Sequence, residues 1–238
     1  SQLIYKPRIS LNQRPRIASS MIRDLFLAID VGTGGIRSAL VNHDGEILKI
    51  CHKEHEQIVP RYGWSEQRPE DWWQGTIKTV IQVLGEVDNA PARIAAICAC
   101  GQMHGTVLVD SNGLLTRETV LLWNDKRTQP QAEQLNKLIQ PDDALRLTAN
   151  QPSPAWPASK LMWFMENDPE AVTRAESLLM PKDWINLQLT GKRAQDYTEA
   201  SLSFLMDQSK RNWSDELISL TGISRNLLSP IKNPSEIL

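Results

Sequence analysis

Several kinds of residue are scarce in this 238-residue chain, and each scarcity removes a class of function. Cys51, Cys98 and Cys100 are the only cysteines, an odd number that does not make a disulfide framework. Cys98 and Cys100 fall on one expected strand and are read as pointing to opposite faces, poorly placed to bridge one another. Reduced thiols and a cytoplasmic location follow as expectations. Neither sign of charge dominates: 26 Lys and Arg against 28 Asp and Glu leave a net charge of −2. That balance gives no electrostatic footprint for nucleic acid or for an anionic membrane surface. No apolar run approaches the ~20 residues of a membrane-spanning helix. The four histidines lack metal-ligand spacing, and His43, His52 and His55 are expected at the surface of a turn and an amphipathic strand. Phe and Tyr number three each, whereas Trp numbers eight, which points to bulky packing or to ring-lined clefts.

With 41% apolar residues the chain can bury a substantial core. Repeats and low-complexity linkers are absent from the sequence, so one domain over residues 23–238 is expected. The first twenty residues stand apart. They carry Lys6, Arg8, Arg14 and Arg16, two prolines and no acidic residue, and Met21 comes directly before the first strand-like run. A targeting leader and an upstream extension both fit this composition, and residues 1–22 are expected to be a disordered extension.

Periodicity gives three opening strands near 24–30, 36–42 and 46–53, the last two joined by His43-Asp44-Gly45, a strong hairpin signal. A helix follows, opened by Pro69 with Glu70 and Asp71 in its first turn and stopped at Gly85. Its apolar face is read as Trp73, Ile77, Val80, Ile81 and Leu84. The run from Ile94 to Cys100 lacks polar alternation and predicts a central strand covered on both faces. Short strands near 106–110 and 119–123 come next. Helices are expected at 128–140, 157–167, 169–176, 182–190 and 213–221, with a short strand at 178–180. The class is α/β, a mixed sheet flanked by helices.

Two stretches carry candidate chemistry. The first ends a buried strand on Asp30 and continues Val31-Gly32-Thr33-Gly34-Gly35. A glycine-rich turn leaves backbone N–H groups free to face an anion, and the carboxylate suits a divalent cation or its waters. No Gly-Lys-Ser/Thr follows, so this is not a Walker A loop, and a second strand stands where a dinucleotide fingerprint needs a helix. Glycines adopting positive φ in an ordinary turn are the competing explanation. The second stretch is Gly101-Gln102-Met103-His104-Gly105, placed where a buried strand ends. In an open α/β sheet ligands favour the crevice beyond the carboxyl ends of strands, and Gln102 and His104 offer groups suited to hydroxyls. A satisfied loop histidine is the plain alternative for His104.

Five spaced motifs occur in order: Asp30-Val31-Gly32-Thr33-Gly34-Gly35; Gly63-Trp64-Ser65-Glu66-Gln67 with Trp72-Trp73; the Gln-Met-His loop; Leu122-Trp123-Asn124-Asp125-Lys126-Arg127; and Pro181-Lys182-Asp183-Trp184 with Leu189-Thr190-Gly191. Together they resemble the amino-terminal half of FGGY carbohydrate kinases, xylulokinases above all, from about Leu25 to Leu238. The resemblance implies a ribonuclease-H-like first domain of the actin and hexokinase type, incomplete at its C-terminal end. It implies ATP and Mg2+ as cofactors and ATP-dependent phosphorylation of a ketose such as xylulose, with ribulose, gluconate or a heptulose as other substrates in the same family. By this likeness Asp30, Gly32, Thr33 and Gly34 bind the nucleotide, with Asp30 also the metal residue. Gln102, Met103, His104, Trp64, Asn124 and Asp125 are the substrate residues. For Asp125 with Arg127 a structural ion pair is the alternative, and for Asp196 with Thr198 it is helix capping.

The likeness also implies a missing part. A sugar hydroxyl needs a carboxylate to accept its proton, and the family carries that Asp on a Gly-Gly-Asp-type segment that would lie beyond Leu238. No catalytic base is therefore assigned, and the chain by itself is expected to be inactive. Its partners are expected to be a small sugar and either a second copy of itself or the missing second domain. A non-catalytic interaction module with a kinase-like fold is the alternative from another class.

Overall fold

In a computed structural model of the chain, residues 22–238 are described. The expected extension over 1–22 thus lies outside the described residues, except for exposed Ile22. Strand β1 (Leu25–Val31) turns Leu25, Leu27, Ile29 and Val31 inward and Phe26, Ala28 and Asp30 to the other face, the two-residue alternation of a pleated strand. Strands β2 (Gly35–Asn42) and β3 (Ile47–Glu54) form the expected hairpin. Its turn is set by Gly45 at φ +84° and by the Asn42 side chain, which accepts hydrogen bonds from the N–H groups of Asp44 and Glu46. After the two-residue strand β4 (Glu66–Gln67) come helices α1 (Pro69–Gly85) and α2 (Ala90–Arg93), then strand β5 (Ile94–Gly101). The principal sheet has the order β3-β2-β1-β5, antiparallel except for the parallel β1–β5 pair.

One face of this sheet is covered by α1. Its fully buried residues include Trp72, Gly75, Thr76, Thr79 and Val83; of the expected stripe, Trp73, Val80 and Leu84 are half-buried against the core, whereas Ile81 is 66% exposed. The reason is close approach. A side chain at Gly75 would meet Ile36 at 2.8 Å, and Thr79 exchanges a 2.7 Å hydroxyl hydrogen bond with Ser38 on β2. Small and hydroxyl residues, not the largest apolar ones, seat this helix.

β5 also departs from expectation. It is the edge of the principal sheet, and its residues are exposed or half-buried instead of covered on both faces. An all-apolar run shows no alternation whether it is sandwiched or simply small, and here three alanines and two cysteines make up most of it. Cys98 and Cys100 pair in register with Ala28 and Asp30 and so share one face, because side chains two residues apart point the same way. All three cysteines are free thiols.

The second half begins with strands β6 (Val107–Val109) and β7 (Val120–Leu121), helices α3 (Gln129–Leu138), α4 (Pro141–Thr148), α5 (Pro157–Asn167) and α6 (Pro169–Arg174), strand β8 (Ser177–Leu179) and helix α7 (Pro181–Thr190). It closes with β9 (Gln195–Asp196), α8 (Tyr197–Ser201), β10 (Met206–Asp207), β11 (Asn212–Trp213), α9 (Asp215–Thr221) and β12 (Ile231–Lys232). Helix α4 is absent from the periodicity reading. Pro141, with Asp142 and Asp143 behind it, starts this helix just beyond the expected 128–140 helix, where no element was expected. The antiparallel β6–β8 ribbon forms a wall between two cores. Val107, Val109 and Leu179 join the sheet-side core with Trp72 and Trp184, while Leu108 and Leu178 join the helical core of Leu135, Leu161, Phe164 and Phe204. Trp72 and Trp184 meet edge-to-face at 6.4 Å, fixing α1 against α7.

β5 lies so close to β1 that a side chain at Gly101 would reach the Val31 Cβ at 2.8 Å and its carbonyl oxygen at 2.9 Å. Both obstacles belong to a strand that cannot swing aside. Gly101→Ala is therefore expected to lower stability by ~1–3 kcal/mol, read from the midpoint of a urea unfolding curve, with Gly85→Ala, where the space is open, as the neutral control.

Candidate functional site

Because β1 and β5 run parallel, their carboxyl ends open on the same side, and the turn after one lies beside the loop after the other. Asp30 stands at the end of β1, half-exposed, with Oδ2 at 3.1 Å from Nη1 of Arg37, its register partner on β2. The turn that follows is closed by Gly32 N–H donating to the Gly35 carbonyl at 3.0 Å. None of Gly32, Gly34 or Gly35 is among the glycines with positive φ, so the ordinary-turn explanation does not account for them. Gly35 is needed for space, since a side chain there would strike the Lys53 carbonyl at 2.6 Å. Gly34 faces open space. Among the described residues, the N–H groups of Thr33 and Gly34 find no acceptor. Amides without an acceptor, with a half-exposed carboxylate beside them, fit a phosphate and its cation. No cluster of three or more metal-ligating side chains occurs among the described residues, and Mg2+ bound through phosphates and water needs only one or two carboxylates.

The turn is braced from behind. Gln67 donates Nε2–H to the Thr33 carbonyl at 2.6 Å, and its Oε1 accepts from Trp72 Nε1 at 3.0 Å and from Gln102 Nε2 at 2.8 Å. Thr33 Oγ1 donates to Gln102 Oε1 at 3.2 Å and accepts from Trp123 Nε1 at 3.1 Å. A ring of polar contacts thus joins the 31–35 turn to the 101–105 loop. His55, expected at the surface, is half-buried with Nε2 at 3.2 Å from the Thr33 carbonyl. Burial holds its pKa below the ordinary value, against the pull of its contacts with the turn.

In the loop, Gln102 is buried and spends both ends of its amide on the brace, whereas Met103 is 48% exposed. His104 is buried in the left-handed region at φ +65°, stacks on Trp156 at 4.6 Å, and has no partner for Nδ1 among the described residues. Burial, with Lys160 adding to it, pushes its pKa down to about 3, so the ring is neutral at any physiological pH. Asn124 is half-buried, and its Oδ1 is likewise unpartnered.

Trp64 and Asp125 take other places. Asp125 has no exposed surface and accepts from Ser65 N–H at 2.7 Å and from Arg127 N–H at 2.9 Å, while Arg127 Nη2 reaches it at 2.8 Å. The Arg127 guanidinium also meets Glu66 at 2.5 Å and lies 3.5 Å from the centre of the Trp64 ring. The ion-pair alternative for Asp125 is what the structure displays, with Trp64 as its lid. Asp196 accepts from Glu199 N–H at 3.0 Å as the cap of α8, and pairs with Lys182 at 3.1 Å. Capping accounts for this residue as well.

Lys182 also holds Asp183 at 2.6 Å, beside buried Glu199, whose Oε2 is unpartnered. Burial raises Asp183 to about 6 against the pull of Lys182, and burial with the nearby Asp183 charge raises Glu199 to about 8. A carboxyl raised from 4.5 to about 8 binds its proton in the folded chain while the unfolded chain has released it, so stability falls as pH rises from about 4.5 to 8. Glu199→Gln mimics the protonated acid. It is expected to flatten that part of the Tm-against-pH curve and to lift Tm at pH 8 by more than about 2 °C, measured by calorimetry.

Sequence reading missed the parts played by His55, Trp156 and Lys160, and named Gln67 and Trp123 only as members of motifs. Lys160 was the most visible of these, a lone cation among apolar residues of the 157–167 helix. Residues 25–238 match the FGGY family of carbohydrate kinases, N-terminal domain. The chain is 32% identical to the xylulose kinase of Bacillus subtilis over 206 residues, covering 86% of this chain and 41% of that protein. It is 32% identical to the xylulose kinase of Escherichia coli over 213 residues, covering 90% and 43%. The chain therefore spans about two-fifths of the length of these curated relatives. The crystal structure of xylulose kinase from Rhodospirillum rubrum superposes with TM-score 0.83 at 22% identity, covering 87% of this chain and 42% of that one, and it establishes the shared fold.

Proposed function

The chain belongs to the FGGY family of carbohydrate kinases, and from this premise we propose that it holds a ketose of the xylulose type at Met103, His104 and Asn124 and the phosphate tail of magnesium-ATP at Asp30, Thr33 and Gly34. The observation that carries the proposal is the polar ring Thr33–Gln102–Gln67, which fixes the two binding loops to each other. Phosphoryl transfer is mainly a matter of positioning and charge stabilisation, so a rigid link between the two loops is a functional part.

In this proposal the free amides of Thr33 and Gly34 receive phosphate oxygens and Asp30 leaves Arg37 to meet the cation. Bound magnesium supplies neutralisation of phosphate charge. Neutral His104 and the Asn124 amide offer hydrogen bonds to sugar hydroxyls, and Trp123 and Met103 give the cleft its apolar wall. None of the carboxylates beside the sugar loop is free to accept a proton: Asp125 and Glu66 are consumed by Arg127, and Asp30 stands at the phosphate end. These 238 residues also contain no Gly-Gly-Asp segment. We therefore assign to this chain sugar and phosphate binding, with no turnover expected from these residues by themselves. Free thiols support the cytoplasm as its compartment, and no helix among the described residues is long and apolar enough to cross a membrane.

The alternative from another class, an interaction module without ligands, draws on the open sheet face that includes Phe26 and Ile50, 42% and 52% exposed. Titration calorimetry separates the two. D-xylulose is expected to bind the chain, with gluconate and glycerol weaker, and His104→Ala is expected to weaken binding by at least about tenfold, ~1.4 kcal/mol. ADP release should stay at the no-enzyme level. A chain that binds neither ketose nor magnesium-ATP returns the choice to the interaction module.

A further inference from the structure

Lys160 is fully buried, yet no carboxylate lies within ion-pair distance of it among the described residues. Its ammonium instead donates to two backbone carbonyls, His104 at 2.6 Å and Leu121 at 3.2 Å. These carbonyls belong to the two segments that bear the sugar-facing groups, the 101–105 loop and the strand end leading into Trp123 and Asn124. A cation in such a place is costly, and a methionine of similar length would fill the same volume without that cost. Directed N–H donors are what the lysine adds.

The same turn of α5 touches His104 a second time. Trp156, the residue preceding the helix, lies four positions before Lys160 and accepts its backbone N–H at 3.2 Å. The Trp156 ring stacks on the imidazole at 4.6 Å with a 36° tilt. His104 is therefore gripped through its carbonyl by Lys160 and through its ring by Trp156, in a left-handed conformation that a non-glycine residue holds only when its surroundings impose it. Thr106 Oγ1 adds a weaker 3.3 Å bond to the same carbonyl.

We propose that Lys160 and Trp156 are positioning residues that set the imidazole of His104 and lock the sugar loop to the Trp123–Asn124 segment, governing sugar affinity without touching the nucleotide. As a statement about sugar affinity it rests on the function proposed above. As a statement about the loop it stands on geometry alone. The charged groups around the grip are Lys160 itself and, acting on it from further away, Asp125 and Arg127.

Three measurements on this chain test it. The variants are Lys160→Met, which keeps volume and removes donors, and Trp156→Leu, which alters a half-buried residue and guards against a Lys160 variant that does not fold. Nitrogen-15 spectra of the His104 ring across pH are expected to show a neutral imidazole down to about pH 4 in the wild type. Both variants should titrate nearer the ordinary histidine value as the ring leaves its niche. Calorimetry with D-xylulose should lose about tenfold or more in affinity in both variants, while a non-hydrolysable ATP analogue with magnesium binds within about twofold of wild type. A folded variant with an unchanged imidazole titration and unchanged xylulose affinity overturns the proposal, as does an equal loss of sugar and nucleotide binding. If the wild type binds no xylulose, the proposed function fails, and the imidazole titration alone decides whether the grip exists.

Discussion

The carboxamide of Gln67 is the contact on which the site depends. It is 1% exposed, and one planar group reaches the turn after β1, the 101–105 loop and the core tryptophan of α1 at once. Burying an amide is costly unless its polar atoms find partners, and here both ends do. Because the three contacts share one amide, moving the Thr33 carbonyl strains the Gln102 bond, and moving Gln102 strains the bond to Trp72. The geometry of two binding loops is thereby referred to a tryptophan with no exposed surface that packs against Trp184. The turn and the loop are thereby tied to the buried core, the arrangement a preorganised site needs.

Around this polar ring the chain buries two cations and treats them oppositely. Arg127 has two carboxylates, Asp125 and Glu66, and the rings of Trp64 and Trp163 on its faces. A planar guanidinium uses bidentate pairing and stacking together, which an ammonium cannot do. Asp125 in turn holds the N–H of Ser65, so the group ties the strand containing Glu66 and Gln67 to the segment carrying Trp123 and Asn124. Lys160 has only carbonyls, and burial draws its pKa down to about 7. Removing one partner of the Arg127 group leaves an uncompensated buried charge, whereas Lys160 can lose its proton and remain in place. The first is a fixed joint of the frame. The second is a softer one, placed under the 101–105 loop.

What the sequence disclosed follows the same division. The hairpin was legible because Asn42-His43-Asp44-Gly45 is local turn chemistry, and α1 opened at Pro69 because its N-terminal signals are local too. The turn after β1 and the 101–105 loop stood out as motifs, since glycine and polar residues at strand ends have few structural explanations. Long-range facts were not. β5 looked central because an alanine-rich run lacks alternation in either environment, and the buried face of α1 was misread because Gly75, Thr76 and Thr79 seat it by closeness rather than by bulk. The brace through Gln67, the Arg127 group and the grip on His104 join residues 35, 61 and 56 positions apart. No local period encodes such contacts.

The frame and the binding groups also differ in how far their hydrogen bonds are satisfied, and the difference bears on affinity. Gln67, Gln102, Asp125 and Arg127 have their partners inside the chain. His104 Nδ1, His55 Nδ1 and Asn124 Oδ1 do not, and neither do the amides of Thr33 and Gly34. A buried polar atom without a partner costs ~1–3 kcal/mol, a deficit that, under the proposed function, sugar hydroxyls at His104 Nδ1 and Asn124 Oδ1 would remove. Because the frame already fixes these groups, little further ordering is needed on binding, and more of that recovery appears as affinity. The same orphan atoms in a flexible loop would turn to water and forfeit the gain. Under the proposed function, rigid support and unsatisfied edges are thus two halves of one device.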